Sequence, residues 1–212
     1  MKKNNYIYFK STFYFSIYIL ILAGLIPLFS YHTQNDVFYK FFIVVSNRWF
    51  IISCLFVTSV MTIKFQNLSC NYLYYLRFPS LRSVKKRTIT HVLYYNAKII
   101  ILALLFLFFS TFLVAGFNTL YSLSNVVYVL CNVIYLVLLV NFFSIFILAM
   151  MEYCNKILCI TLYAVLSFVL IFKVDFLFGL IIDDLLFVYV LKCFALILAI
   201  ILFNKLYTKG NW

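Results

Sequence analysis

The stretch Lys64–Lys98, KFQNLSCNYLYYLRFPSLRSVKKRTITHVLYYNAK, is the long polar interruption in an otherwise apolar chain. It carries Lys64, Arg77, Arg82, Lys85, Lys86, Arg87 and Lys98, and no acidic residue. Short loops rich in Lys and Arg stay on the cytoplasmic side of inserted helices. The stretch therefore reads as a cytoplasmic loop, and it sets the direction of every segment on either side. It is also the place where a soluble partner would take hold.

The rest of the composition agrees. Hydrophobic residues make up 67% of the chain and charged residues 10%, with a mean hydropathy of +1.10. A soluble domain carries about 25% charged residues, so this apolar excess has no interior large enough to hide it. The apolar runs are unbroken over about 20 residues, the length of a crossing helix, and lack the short alternation of a membrane barrel. The fold class is all-α: a polytopic membrane protein in one transmembrane domain over residues 1–212. The net charge is +12, from 17 basic and 5 acidic side chains. Those cations gather at helix ends and in one loop, which writes membrane topology, and no nucleic-acid partner is expected. The six cysteines, Cys54, Cys70, Cys131, Cys154, Cys159 and Cys193, show no CxxC spacing. None falls in a segment read as external, so neither disulfides nor a metal site are expected.

In order along the chain, six spans are predicted at about 11–31, 41–63, 97–117, 126–150, 157–172 and 185–204, with both termini cytoplasmic. Lys2, Lys3 and Lys10 precede the first span, which is too long for a signal core and lacks a small-x-small cleavage site. Pro79 breaks any continuous helix, and Ser80 is placed to cap a new one. Leu81, Val84, Thr88 and Val92 then recur at helical spacing, with Lys85 near that apolar stripe. This reads as a basic interfacial or coupling helix, with Arg82, Lys86 and Arg87 mostly to the sides of the stripe, that turns up into the third span within the 64–96 loop; a plain anchor to anionic lipid is the other reading of its cations, and the two are compatible. Glu152 sits in a tight internal turn, Met151–Lys156, whereas Asp36, Asp175, Asp183 and Asp184 are placed outside. The apolar centre of the segment 173–184 is too short to cross, and the segment reads as a small re-entrant or interfacial element on the outer side.

Four polar residues fall within or beside spans: Arg48, Asn132, Asn141 and Lys192. A deep Arg costs about 2.5–3.5 kcal/mol on insertion scales, so Arg48 is expected in the interface beside Trp49. Asn132 and Asn141 are nine residues apart and fall on opposite helix faces, where each is read as an interhelical hydrogen-bond partner. Lys192 lies eight residues after Asp184, and a structural pair between them is the plainest reading. A place on a transport path is the alternative role for all four.

Enzyme chemistry is not signalled. His32 and His91 fall on opposite sides of the predicted membrane, and no GxSxG, HExxH or Walker A pattern occurs. A membrane cysteine peptidase would need a cytoplasmic His–Cys pair, for which His91 and Cys154 are remote candidates.

The run Tyr75-Leu76-Arg77-Phe78-Pro79-Ser80-Leu81-Arg82, followed by Lys85, Lys86 and Arg87, is similar to the aromatic–Arg–x–x–Ser–basic run before the third helix of small permeases in peptide-export and self-immunity operons. In layout the whole chain resembles a membrane subunit of the type-two ABC exporters. That resemblance implies a separate ATPase in two copies that binds ATP, and a second permease subunit, with no cofactor held by this chain. It also implies a peptide or hydrophobic substrate and a bacterial cytoplasmic membrane. ATPase docking would fall to Arg77, Arg82, Lys85, Lys86 and Arg87, with Glu152 adding a contact. The very short N-terminal arm departs from larger members of that group. Two other readings stand beside it: a stand-alone membrane immunity protein that binds a membrane-active peptide, and the six-span substrate-binding subunit of a vitamin importer.

Overall fold

The computed structural model describes residues 2–30, 37–69, 80–115, 123–173 and 186–209. Among them the chain is helical, with seven helices. They are α1 (Lys2–Ser30), α2 (Val37–Ser46), α3 (Arg48–Ser69), α4 (Leu81–Ala115), α5 (Leu123–Tyr153), α6 (Lys156–Lys173) and α7 (Leu186–Lys209). Five of them, α1, α3, α4, α5 and α7, are long and apolar enough to cross a membrane. The molecule is a multi-pass helical membrane protein.

Helix α5 is the hub. It packs against α7, α2, α3, α4 and α6, while α1 lies against α4, α3 and α2. More than half of the α5 span is buried, against 11% of the α7 span. The outward face of α7, with Phe187, Phe194, Leu198 and Leu202, is exposed apolar surface, as is that of α4 at Phe106, Phe109 and Leu113. Lipid chains are the solvent that such faces require. The main core runs through Leu20, Phe50, Leu55, Ile99, Leu107, Leu136 and Val140. Packing between α1 and α4 turns on one glycine. A Cβ at Gly24 would overlap the side chain of Leu107, itself fully buried, so the two helices approach closely because Gly24 has no side chain.

Three boundaries differ from the sequence expectation. The second span, expected as one helix over 41–63, is broken at Asn47. The Asn47 side-chain oxygen accepts hydrogen bonds from the Trp49 and Phe50 amides at 2.9 and 3.3 Å. Asn47 thus caps a fresh helix at Arg48, because its short polar side chain outcompetes the continuing backbone ladder. The ten-residue α2 that precedes it is packed inside the bundle, with Phe41, Val44 and Val45 buried. The basic N-terminal arm is likewise not separate: α1 begins at Lys2 and runs through Pro27.

The third difference concerns α4. Ser80 caps it as expected, its hydroxyl accepting from the Ser83 amide at 3.3 Å. From there, however, no interfacial helix turns upward. One unbroken helix of 35 residues runs from Leu81 to Ala115. At 1.5 Å per residue that is about 52 Å, against about 30 Å of hydrocarbon. The excess falls at the end carrying Arg82, Lys85, Lys86 and Arg87. No Gly or Pro lies between Leu81 and Ala115 to interrupt the ladder, which is why an interfacial segment and a span fuse into one rod. The expected outer element at 173–184 and the loop residues 70–79 lie outside the described residues.

Candidate functional site

The far ends of α4, α5 and α7 come together into a small second core of their own. Ile89 and Val92 of α4 pack with Ile145, Leu148 and Ala149 of α5 and with Tyr207 of α7. Into this apolar cluster the fold places one ion pair. The Lys85 ammonium meets the Glu152 carboxylate at 3.0 Å, with side-chain exposures of 4% and 5%. The same ammonium lies 5.3 Å from the centre of the Tyr207 ring. One cation thus ties three helices. Its position on the apolar stripe of α4, which looked like a flaw in the amphipathic pattern, is what turns it inward.

Around this tie the other basic residues of the first two turns of α4 diverge. Arg82, Lys86 and Arg87 are exposed, and the Arg87 guanidinium donates to His91 at 3.4 Å. Lys85 is therefore not part of an open docking face, and Glu152 is its partner rather than an independent contact. Arg77 lies outside the described residues. Glu152 is the only acid among the described residues, since Asp36, Asp175, Asp183 and Asp184 fall outside them.

A ring of aromatic and basic side chains girdles the neighbouring ends of α1, α3 and α4. Tyr95 contacts Phe65 and Phe13 at centroid distances of 5.1 and 6.3 Å. Lys98 sits 5.8 Å from the Phe13 ring centre, and Lys64 donates to Thr12. Amphipathic rings and snorkelling lysines belong at a membrane–water boundary.

Within the span, α4 and α5 meet at a second polar point, where the Asn96 amide donates to Ser144 at 2.8 Å and both are buried. Tyr163 of α6 donates to the Leu55 carbonyl of α3 at 2.9 Å. Neither contact was foreseen, although Asn96 and Tyr163 are polar-tipped residues in apolar stretches and so carry the signal for one. Asn132 behaves differently from the expectation of an interhelical partner. Its amide donates to the Tyr128 carbonyl of its own helix at 2.9 Å. The side-chain oxygens of Asn132 and Asn141 are buried with no hydrogen-bond partner among the described residues.

The four residues considered for a transport path lie on three helices. Arg48 opens α3 at half-buried depth, two turns nearer the helix end than a 41–63 span would put it. Asn132 and Asn141 are on α5. Lys192 is buried on α7 with its ammonium 5.6 Å from the Tyr189 ring centre; the Asp184 expected beside it lies outside the described residues. An apolar crevice of about 260 Å3 opens between α2, α4 and α5, lined by Phe38, Phe41, Leu105, Phe108, Val129 and Val133 among others. Its walls offer contacts to a hydrocarbon or aromatic group and almost nothing to a polar one. Comparison with family models, with curated proteins and with solved structures returns no match to this chain.

Proposed function

We propose that this chain is the membrane-spanning permease subunit of an ATP-driven exporter, with six crossing helices, both termini in the cytoplasm, and a separate ATPase acting on the basic end of α4. The observation that carries this reading is the braced rod. Arg82, Lys86 and Arg87 stand exposed on a helix that continues without a break into the span. Lys85 on the same turns is locked to α5 and α7 through Glu152 and Tyr207. A push on the basic end is therefore delivered to three helices at once, which is what a subunit that takes its energy from a partner requires. In this topology α6, 18 residues long, is the remaining crossing. The apolar crevice between α2, α4 and α5 fits a hydrophobic or amphipathic cargo.

The test is purification of the chain from native membranes with its partners intact. Wild-type protein brings down an ATPase in fixed ratio. R82E/K86E/R87E loses that ATPase while inserting and folding normally. An ATPase retained by the triple variant, or none in the wild type, overturns the proposal. The crevice also favours the immunity reading, because a membrane-active peptide has apolar side chains to seat there. In that case the chain protects cells from such a peptide with no ATPase present.

A further inference from the structure

Beside the Lys85–Glu152–Tyr207 tie, α4 and α7 leave a cleft of about 430 Å3 between them. Arg82 and Lys86 line it from α4 and Lys205 lines it from α7. Further along α4 its floor is Ile89 and Leu93. We propose that this cleft, when no ATPase is docked on Arg82 and Lys86, binds the phosphate of an anionic phospholipid headgroup, with the acyl chains running along the exposed apolar faces of α4 and α7.

Two observations converge on that ligand. The first is charge without a counter-charge. Arg82, Lys86 and Lys205 come from two helices to one opening, and the only carboxylate among the described residues, Glu152, is already held by Lys85. Three like charges around one cleft repel each other unless an anion sits between them. The second is the gradient within the cleft. Cations line one end and Ile89 and Leu93 the other, followed on α7 by Ile201 and Ile197, which are exposed. A charged head on a hydrocarbon tail has that same order.

The neutral groups of the cleft refine the chemistry. Thr90 donates its hydroxyl to the Lys86 carbonyl at 3.1 Å, and Thr208 donates to the Asn204 carbonyl at 2.9 Å. Those protons are spent on their own helices. The donors left for the ligand are the three cations and the Asn204 amide. Such a site selects by charge and not by headgroup shape, so phosphatidylglycerol and phosphatidylserine are held alike and phosphatidylcholine is not.

The test uses the purified full-length chain alone, so its outcome is independent of any ATPase partner. Delipidated protein in neutral detergent is titrated with phosphatidylglycerol, with phosphatidylcholine, or with inorganic phosphate, and bound ligand is counted by native mass spectrometry. Wild type retains phosphatidylglycerol over phosphatidylcholine. R82Q/K86Q/K205Q weakens phosphatidylglycerol binding about 100-fold, from roughly fivefold per basic residue at a lipid surface. The charge-matched control R87Q/K98Q/K209Q, whose residues lie outside the cleft, binds within about twofold of wild type. Equal binding of the two lipids, or equal loss in the control, overturns the proposal. Should the cleft variant misfold, K205Q alone, at a solvent-exposed position, carries the same comparison with a fivefold loss. Inorganic phosphate that binds tightly and displaces phosphatidylglycerol from the same three residues overturns the lipid assignment and gives the site to a free anion.

Discussion

Helices α4 and α5 are fastened at two polar points, and the two are built differently. At the tip of the rod the fastening is an ion pair, Lys85 with Glu152. Further into the span it is a neutral bond, Asn96 with Ser144. The two points lie eleven residues apart on α4 and eight on α5, running in opposite directions, as two antiparallel neighbours must. The difference follows from what each depth tolerates. Unpaired charges deep in hydrocarbon are costly, whereas an amide and a hydroxyl satisfy one another at modest expense. Near the aqueous end a full ion pair is affordable, and there it has a use that the neutral bond lacks. A paired charge that loses its partner is far worse than one never buried, so the pair penalises separation of the helices.

The largest effect that would break this comparison is at the tip. Glu152→Gln or Lys85→Met strands one buried charge or amide and is expected to cost about 3–5 kcal/mol. The readout is thermal unfolding in detergent. Lys85→Leu with Glu152→Leu together should recover most of that loss, because a buried ion pair is replaceable by apolar packing of similar volume. If the double variant is as unstable as the singles, the tip is held by something other than the pair.

Next in size is the packing that the polar points frame. Gly24→Leu pushes a side chain into the place of Leu107 and is expected to cost about 1–3 kcal/mol through overpacking between α1 and α4. Leu107→Ala in the same chain should restore part of it, and no interaction between the two substitutions would show that the helices do not meet there.

The neutral fastening should be weaker. Asn96→Leu is expected to cost about 0.6–1.7 kcal/mol, the range for interhelical hydrogen bonds in membranes. A loss as large as that of Glu152→Gln would erase the contrast between the two ends. Smallest of all, Arg87→Gln is exposed and should change stability by less than about 0.5 kcal/mol. A larger loss would mean that Arg87 braces the rod.

Much of the architecture was legible in the residues, and what was missed has physical reasons. The helical membrane class follows from the long apolar runs, and the cap at Ser80 from Pro79 and a small hydroxyl before a periodic stretch. The break at Asn47 was missed because the apolar run reads straight through it, and one capping side chain then decides against that pattern. The continuity of α4 was missed for the opposite reason. A change in composition from basic to apolar looked like a change of direction, but no residue between Leu81 and Ala115 breaks a helix. Lys85 was counted with the docking cations because charge is a local property, while its burial depends on Glu152 and Tyr207, distant in sequence. Lys192 is buried in the span, while the Asp184 expected to pair with it lies outside the described residues. Helical spacing put Arg82, Lys86 and Arg87 to the sides of the apolar stripe, and all three are exposed.

The proposed coupling to an ATPase depends on which side of the membrane the basic tip of α4 faces. The direct measurement is labelling of a single cysteine at Arg87→Cys, in a chain whose own cysteines are replaced, with an impermeant thiol reagent. The account predicts no labelling in sealed cells and full labelling once the membrane is opened. Labelling in sealed cells would place the tip outside and contradict it.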